Sequence, residues 1–238
     1  MEMTKNIRLF QPSLGNDELT SIKKVFKKSW IGYGEQVQKF EKEWSKFFNV
    51  KHSIAVNSCT AALHLALLCN DFKKGKKVLV PAITFSATAA AVLYCGLIPV
   101  FVDINDNDLN MNFEDLKKKY TKDCVAVIPV HFGGHPCEMD KIMKWANKQN
   151  LIVIEDCAET CGGYYKGKKI GTWGHYGCFS FEEKKMMTTG DGGMITTNNA
   201  IMAKKLKSLS FHGWDKDPLL RHKQRSLDSS KKSKKDLH

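Results

Sequence analysis

The sequence predicts an α/β fold: a mostly parallel sheet with helices packed on both of its faces. Runs such as Val125 to Val130 and Leu151 to Ile154 are apolar at every position, as strands covered on both sides must be. Segments of helical period separate such runs, with Met139 to Lys148 lying between these two. The 238 residues, 42% of them hydrophobic, suffice to bury a large core in one domain, or in one domain with an appendage.

The elements follow in order. Asp17 to Trp30 and Gln36 to Phe48 carry the apolar spacing of amphipathic helices. Ser53 to Val56 reads as a short strand and Thr60 to Leu68 as a strongly apolar helix. Lys77 to Val80 is a strand closed by Pro81, and Ser86 to Cys95 a small-residue helix stopped by Gly96. Pro99 to Val102 is the next strand, and Asn112 caps a helix running through Lys118. After the pair of strands named above, Phe179 to Phe181 and Met194 to Thr196 add two more, and Ile201 to Leu209 a helix. Functional groups in such sheets collect at the carboxyl ends of strands. Asn57, Thr84, Asp103, His131, Glu155 and Asp156 all follow apolar strands closely.

Composition narrows the classes. No run approaches the roughly 18–20 apolar residues of a membrane helix, and no signal peptide is visible after Met1. The expectation is a cytoplasmic protein. None of the eight cysteines has CxxC spacing, and most lie in apolar contexts, which reads as buried free thiols. The formal charge is +12; residues 221–238 hold seven Lys/Arg against two Asp/Glu, so +5 of it falls there and +7 on the rest. That basic tail lacks the interleaved aromatics that stack bases, so a solvated, disordered terminus is expected rather than a nucleic-acid partner. The charge on the body suits an anionic substrate.

Four segments carry chemistry. Asn57 to Leu65 turns from strand into helix, with Ser58, Cys59 and Thr60 at the turn. Its first amides and the positive end of the helix dipole form either an anion site, with phosphate the expected guest, or an ordinary Ser/Thr cap. Glu155 and Asp156 end a buried strand and point to opposite faces. One carboxylate there either keeps a heterocyclic nitrogen protonated, or caps a helix or pairs with a surface cation. Phe85, after Pro81 to Thr84, either lies flat on a ring or packs in the core. Between Gly177 and Gly193, a lysine pair, Lys184 and Lys185, sits between a short apolar run that includes Ser180 and the turn Gly190-Asp191-Gly192-Gly193. A lysine held in a partly dry pocket presents the neutral amine that condenses with carbonyls.

Three other motifs fail on inspection. Gly162 to Lys169 nearly spells a phosphate loop but lacks the final Ser/Thr and a following helix, so a turn is expected. Asp103 to Asp108 with Glu114 nearly spells a calcium loop but has Asp108 where glycine is needed, which leaves a polar turn with Asx hydrogen bonds. His135 with Cys137, and Cys157 with Cys161, make no four-ligand set, so no metal is expected.

Taken in order, these segments resemble the sugar aminotransferases of the DegT/DnrJ/EryC1/StrS group. The resemblance runs from Trp30-Ile31-Gly32-Tyr33-Gly34 through Phe211-His212-Gly213, and includes Asn57 to His64, Val80 to Phe85, Val130 to Gly134, Glu155 to Glu159, Gly171 to Gly174 and Phe179 to Gly193. It implies a fold-type I large domain over residues 35–214, preceded by an N-terminal segment (1–34) and followed by the basic tail (215–238). It implies pyridoxal 5'-phosphate as cofactor, with Lys185 joined to it. Spacing from Ser180 and to Gly190 favours Lys185 over Lys184. Asp156 is implied to pair with the pyridine nitrogen and Phe85 to cover one ring face. Ser58, Cys59, Thr60 and Ser180 are implied to hold the phosphate, and Glu159 to lie near the ring hydroxyl. The implied reaction moves an amino group from an amino acid, expected to be glutamate, to a nucleotide-linked keto sugar for polysaccharide or related glycan synthesis. A homodimer is implied for the intact enzyme.

The resemblance fades after about Trp214, where members of the group continue into a smaller domain, and the expectation is that this domain is absent here. That leaves a non-catalytic remnant, or half of a split enzyme, as an alternative. A sugar dehydratase of the same group is a further one, but those relatives replace the condensing lysine, often with histidine, and Lys185 argues against it.

Overall fold

The computed structural model describes residues 12–214; the expected basic tail lies outside the described residues. Seven strands form the main sheet: β1 (His52–Val56), β2 (Lys77–Pro81), β3 (Ile98–Val102), β4 (Cys124–Val127), β5 (Ile152–Cys157), β8 (Tyr176–Ser180) and β9 (Gly193–Thr197). A two-residue hairpin, β6 (Tyr164–Tyr165) and β7 (Lys168–Lys169), precedes β8. The order across the sheet is β1-β9-β8-β5-β4-β2-β3. Every neighbouring pair is parallel except the two that involve β9, which runs against both β1 and β8.

The apolar runs alternate between two cores. Val78 and Val80 of β2 and Ile154 of β5 enter a cluster with Leu63 and Leu67, while Leu79 and Val153 enter another with Leu116 and Ile142. Helices α3 (Cys59–Leu68), α4 (Ala87–Tyr94) and α7 (Ala200–Leu209) cover the first face. Helices α5 (Phe113–Lys119) and α6 (Met139–Lys148) cover the second. Helix α2 (Glu35–Phe48) brings Trp44 and Phe48 into a third, aromatic cluster with Phe179 and Phe181. Helix α1 (Asn16–Lys27) buries none of its residues. No described helix is long and apolar enough to cross a membrane.

Most elements fall within two or three residues of the sequence reading, and the departures have local causes. Strand β4 stops at Val127 rather than Val130 because Pro129 has no N–H to donate. Pairing resumes only singly: the Ile128 amide donates to Leu79 at 2.8 Å, and Val130 bridges to Asp156. Strand β5 continues beyond Ile154 because its acids are buried and its edge pairs with β8 through Cys157. Asn112 caps α5 as expected, accepting the Asp115 amide at 2.9 Å. The two near-miss motifs are turns: a hairpin at 164–169, and an Asx-bonded loop in which Asp103 and Asp108 accept nearby amides. All eight cysteines are free and six are buried.

Candidate active site

The reversal of β9 decides where the site lies. The carboxyl ends of β1, β2, β4, β5 and β8 meet the amino end of β9 at one edge of the sheet, with Gly193 opposite both Val56 and Ser180. A cavity of about 400 Å³ opens there. Its wall contains every residue the resemblance assigns to the cofactor: Ser58, Cys59, Thr60, Phe85, Asp156, Glu159, Ser180 and Lys185; of the other strand-end residues Thr84 lines it, and Asn57, Asp103, His131 and Glu155 do not.

Asp156 forms the floor and is only 4% exposed. Its Oδ2 accepts the Thr88 hydroxyl at 2.8 Å and its Oδ1 the Ala158 amide at 3.1 Å. Burial pushes its carboxyl above the usual range, while the Ala158 and Thr88 hydrogen bonds oppose that shift. Among the described residues it has no ion-pair partner. A buried, hydrogen-bonded carboxylate without a cation is costly, and a ligand carrying an N–H⁺ fits it. Glu155 points the other way, as alternation along a strand requires. It accepts the Gly171 and Gly174 amides at 2.9 and 2.7 Å and meets His131 Nε2 at 3.1 Å. His131 Nδ1 accepts the Cys137 amide at 3.2 Å, so the ring proton sits on Nε2 and goes to Glu155. His131, Glu155 and Cys157 place ligand-type atoms within 4.8 Å of one another. The Glu155 and His131 atoms are already committed to these hydrogen bonds.

The α3 N-terminus forms one wall. The Ser58 hydroxyl accepts the Ala61 amide at 3.1 Å, so it caps the helix and keeps its own proton to donate. The amides of Cys59 and Thr60, in the first turn, have no acceptor among the described residues. Gly193 packs directly behind them: a Cβ there would lie 2.6 Å from the Ser58 carbonyl and 2.8 Å from the Cys59 nitrogen. Burial raises the Cys59 thiol, Asp156 and Cys178 raise it further, and the charge of Lys185 opposes them. The charge of Lys185 therefore reaches the α3 wall of the cavity.

Lys184 and Lys185 lie in the turn after β8, both on the cavity wall; Lys184 is exposed and Lys185 half-buried. Ser180 accepts the Glu182 amide at 3.4 Å. Phe85 is 76% exposed at the mouth, which removes the core-packing reading. Glu159 accepts the Gly133 amide at 2.6 Å and so ties the 132–134 turn to the rim.

Sequence reasoning placed Thr84 at a strand end without giving it a role, and missed Thr88, Glu182 and Asp191. Thr84, Glu182 and Asp191 line the cavity, whereas Thr88 is fully buried against Asp156. The one signal for Thr88 was its four-residue spacing from Thr84, which puts the two hydroxyls on one face of the entry to α4.

Fold and cavity together define an α/β domain with a ligand site at the carboxyl ends of its strands. The sequence model of the DegT/DnrJ/EryC1/StrS aminotransferase family matches residues 12–230, and the chain belongs to that family. It is 42% identical over 86% of its length to the spore coat polysaccharide biosynthesis protein SpsC of Bacillus subtilis, covering 53% of that protein. It is 41% identical over 83% of its length to a GDP-perosamine synthase of Escherichia coli O157:H7, covering 55% of it. Among solved structures, PseC of Helicobacter pylori, an aminotransferase involved in pseudoaminic acid biosynthesis, superimposes with a TM-score of 0.84. The identity is 29%, and the match covers 90% of this chain and 58% of that one. The PLP form of the putative sugar aminotransferase Spr1654 of Streptococcus pneumoniae gives 0.82 at 28% identity, covering 87% and 58%. The chain thus spans little more than half the length of the relatives it matches.

Proposed function

We propose that this chain provides the cofactor-binding large domain, residues 35–214, of a pyridoxal-phosphate-dependent aminotransferase. The enzyme moves an amino group from glutamate to a nucleotide-linked keto sugar. The observation that carries the reading is Asp156, a buried carboxylate without an ion-pair partner among the described residues, at the floor of a cavity that also holds a helix N-terminus and a lysine. The relatives named as a GDP-perosamine synthase and as an aminotransferase of pseudoaminic acid biosynthesis support the sugar substrate. The charge of +12 agrees with a diphosphate-bearing one. A homodimer working in the cytoplasm in glycan synthesis completes the proposal.

Each residue has a physical task. When bound, pyridoxal phosphate supplies an aldehyde that condenses with amines and a protonated ring that takes up the electrons released at the substrate carbon. Asp156 accepts the ring N–H⁺, which relieves the burial of its own charge. The free amides of Cys59 and Thr60, the Ser58 hydroxyl and Ser180 bind the phosphate at the positive end of α3. Phe85, exposed at the cavity mouth, would cover one face of the ring, and Glu159 on the rim would lie toward its hydroxyl side. Lys185, on the cavity wall, is the amine that would join the aldehyde and would hold or move a proton beside the substrate carbon.

Mixing the cofactor-loaded chain with glutamate, at enzyme in excess, tests the reading. Pyridoxamine phosphate and 2-oxoglutarate are expected in equal amounts. Bound cofactor that stays unchanged would leave this chain a binding domain without the transfer reaction.

A further inference from the structure

We infer that Thr88, backed by Thr84, is a positioning residue for Asp156: the two hydroxyls fix the rotation of its carboxylate and keep it charged for a cationic ring nitrogen. The inference rests on the reading that Asp156 meets the cofactor ring.

The direction of each proton follows from chemistry. An ionised carboxylate only accepts, so the proton on the 2.8 Å line between Thr88 Oγ1 and Asp156 Oδ2 belongs to Thr88. A threonine hydroxyl has one proton. The 2.7 Å contact between the Thr84 and Thr88 hydroxyls must then carry the proton of Thr84. Thr84 lines the cavity, while Thr88 is wholly buried. A one-way chain of donors therefore runs from the cavity wall to Oδ2, and the Ala158 amide holds Oδ1 from the other side. With both oxygens tied, the carboxylate cannot turn.

The surroundings show why a hydroxyl, rather than mere bulk, stands at position 88. Helix α4 reads Ala87-Thr88-Ala89-Ala90-Ala91-Val92, and Ala91 and Val92 enter an apolar cluster. A valine has the shape of threonine and belongs in such a helix. A threonine inside a helix ordinarily returns its hydroxyl to the carbonyl a turn before. Thr88 gives it to Asp156 instead. The other groups acting on that carboxylate offer less. Cys59 of α3 lies 3.9 Å from Oδ1, the nearby Glu159 opposes ionisation, and the neutral His131 ring is bonded to Glu155. Cys178 of β8 and Cys157 of β5 are thiols buried beside it, and Lys185 lines the same cavity.

The test compares Thr88→Val, Thr88→Ser and Asp156→Asn in the full chain. Equilibrium dialysis gives the affinity for pyridoxal phosphate, and carbon-13 NMR of the aspartate carboxyl in cofactor-free protein gives its ionisation. Thr88→Val should weaken cofactor binding about tenfold, the expected loss of one charge-assisted hydrogen bond, and move Asp156 ionisation to higher pH. Thr88→Ser should restore both. If Thr88→Val does not fold, Thr84→Val, which removes the outer donor, should shift both readouts the same way by less. Wild-type affinity and unchanged ionisation in the valine variants would overturn the inference, as would a serine variant as damaged as Thr88→Val. Asp156→Asn separates the two levels: if it binds the cofactor as tightly as wild type, the reading of the cavity fails, not just the role of Thr88.

Discussion

Replacing Gly193 with alanine should damage the fold and the cofactor site together. Gly193 opens β9 and pairs with both Val56 and Ser180, so it cannot swing aside without breaking two registers. Its φ is not positive, so the cost is steric. The new Cβ would lie 2.6 Å from the carbonyl carbon and oxygen of Ser58. Ordinary contact begins at 3.4 Å, so strand and helix must part by about 0.8 Å, the difference between the two. The atoms met are backbone and have no rotamer to change. Overpacking of this kind costs about 1–3 kcal/mol, and here it pushes on the helix turn whose amides face the cavity. Urea unfolding should report a loss near the upper end of that range, and equilibrium dialysis a fall of at least about tenfold in affinity for pyridoxal phosphate. Gly190→Ala is the control. Gly190 has φ +87° and open space around it, so alanine there costs about 1 kcal/mol of backbone strain without touching the helix. If Gly193→Ala keeps the unfolding midpoint and the affinity of wild type, the close approach of β9 to α3 is wrong.

Three further outcomes follow. Phe85→Ala should change stability by less than about 0.5 kcal/mol, because the ring is already 76% exposed, yet should weaken cofactor binding in the same dialysis assay. Asp156→Asn should stabilise the cofactor-free fold near neutral pH. Burial holds the Asp156 carboxyl above the usual range, so the native state binds its proton more tightly than the unfolded chain does. Its contribution is fully favourable at low pH and falls as pH rises from the ordinary carboxylate range through the raised native value. Urea midpoints of variant and wild type should therefore diverge as pH is raised. Glu155→Gln should cost about 2–3 kcal/mol in urea unfolding, because one of the Gly171 and Gly174 amides or His131 loses its buried acceptor.

Much of this was legible in the sequence because burial on two faces leaves an unbroken apolar run. Val78-Leu79-Val80 could be placed as a strand from its letters alone, and its alternation between two cores explains why. The order of Ser58, Phe85, Asp156 and Lys185 along the chain was readable too, since each follows a strand end where functional groups collect. The antiparallel course of β9 left no mark in Met194 to Thr196, because a buried strand looks the same in either direction. Glu155 was ambiguous for a related reason. A buried acid and an exposed one share a letter, and its burial depends on amides at 171 and 174 that only the fold brings near. Thr88 was hidden because its partner lies 68 positions away.

The central claim is that one lysine on this cavity condenses with the cofactor aldehyde. Borohydride reduction of the chain loaded with pyridoxal phosphate, followed by peptide mapping, tests it directly. The account predicts a single pyridoxyl label on Lys185, lost in Lys185→Ala and kept in Lys184→Ala. A label on Lys184, or label spread over the surface lysines with none at 185, would contradict it.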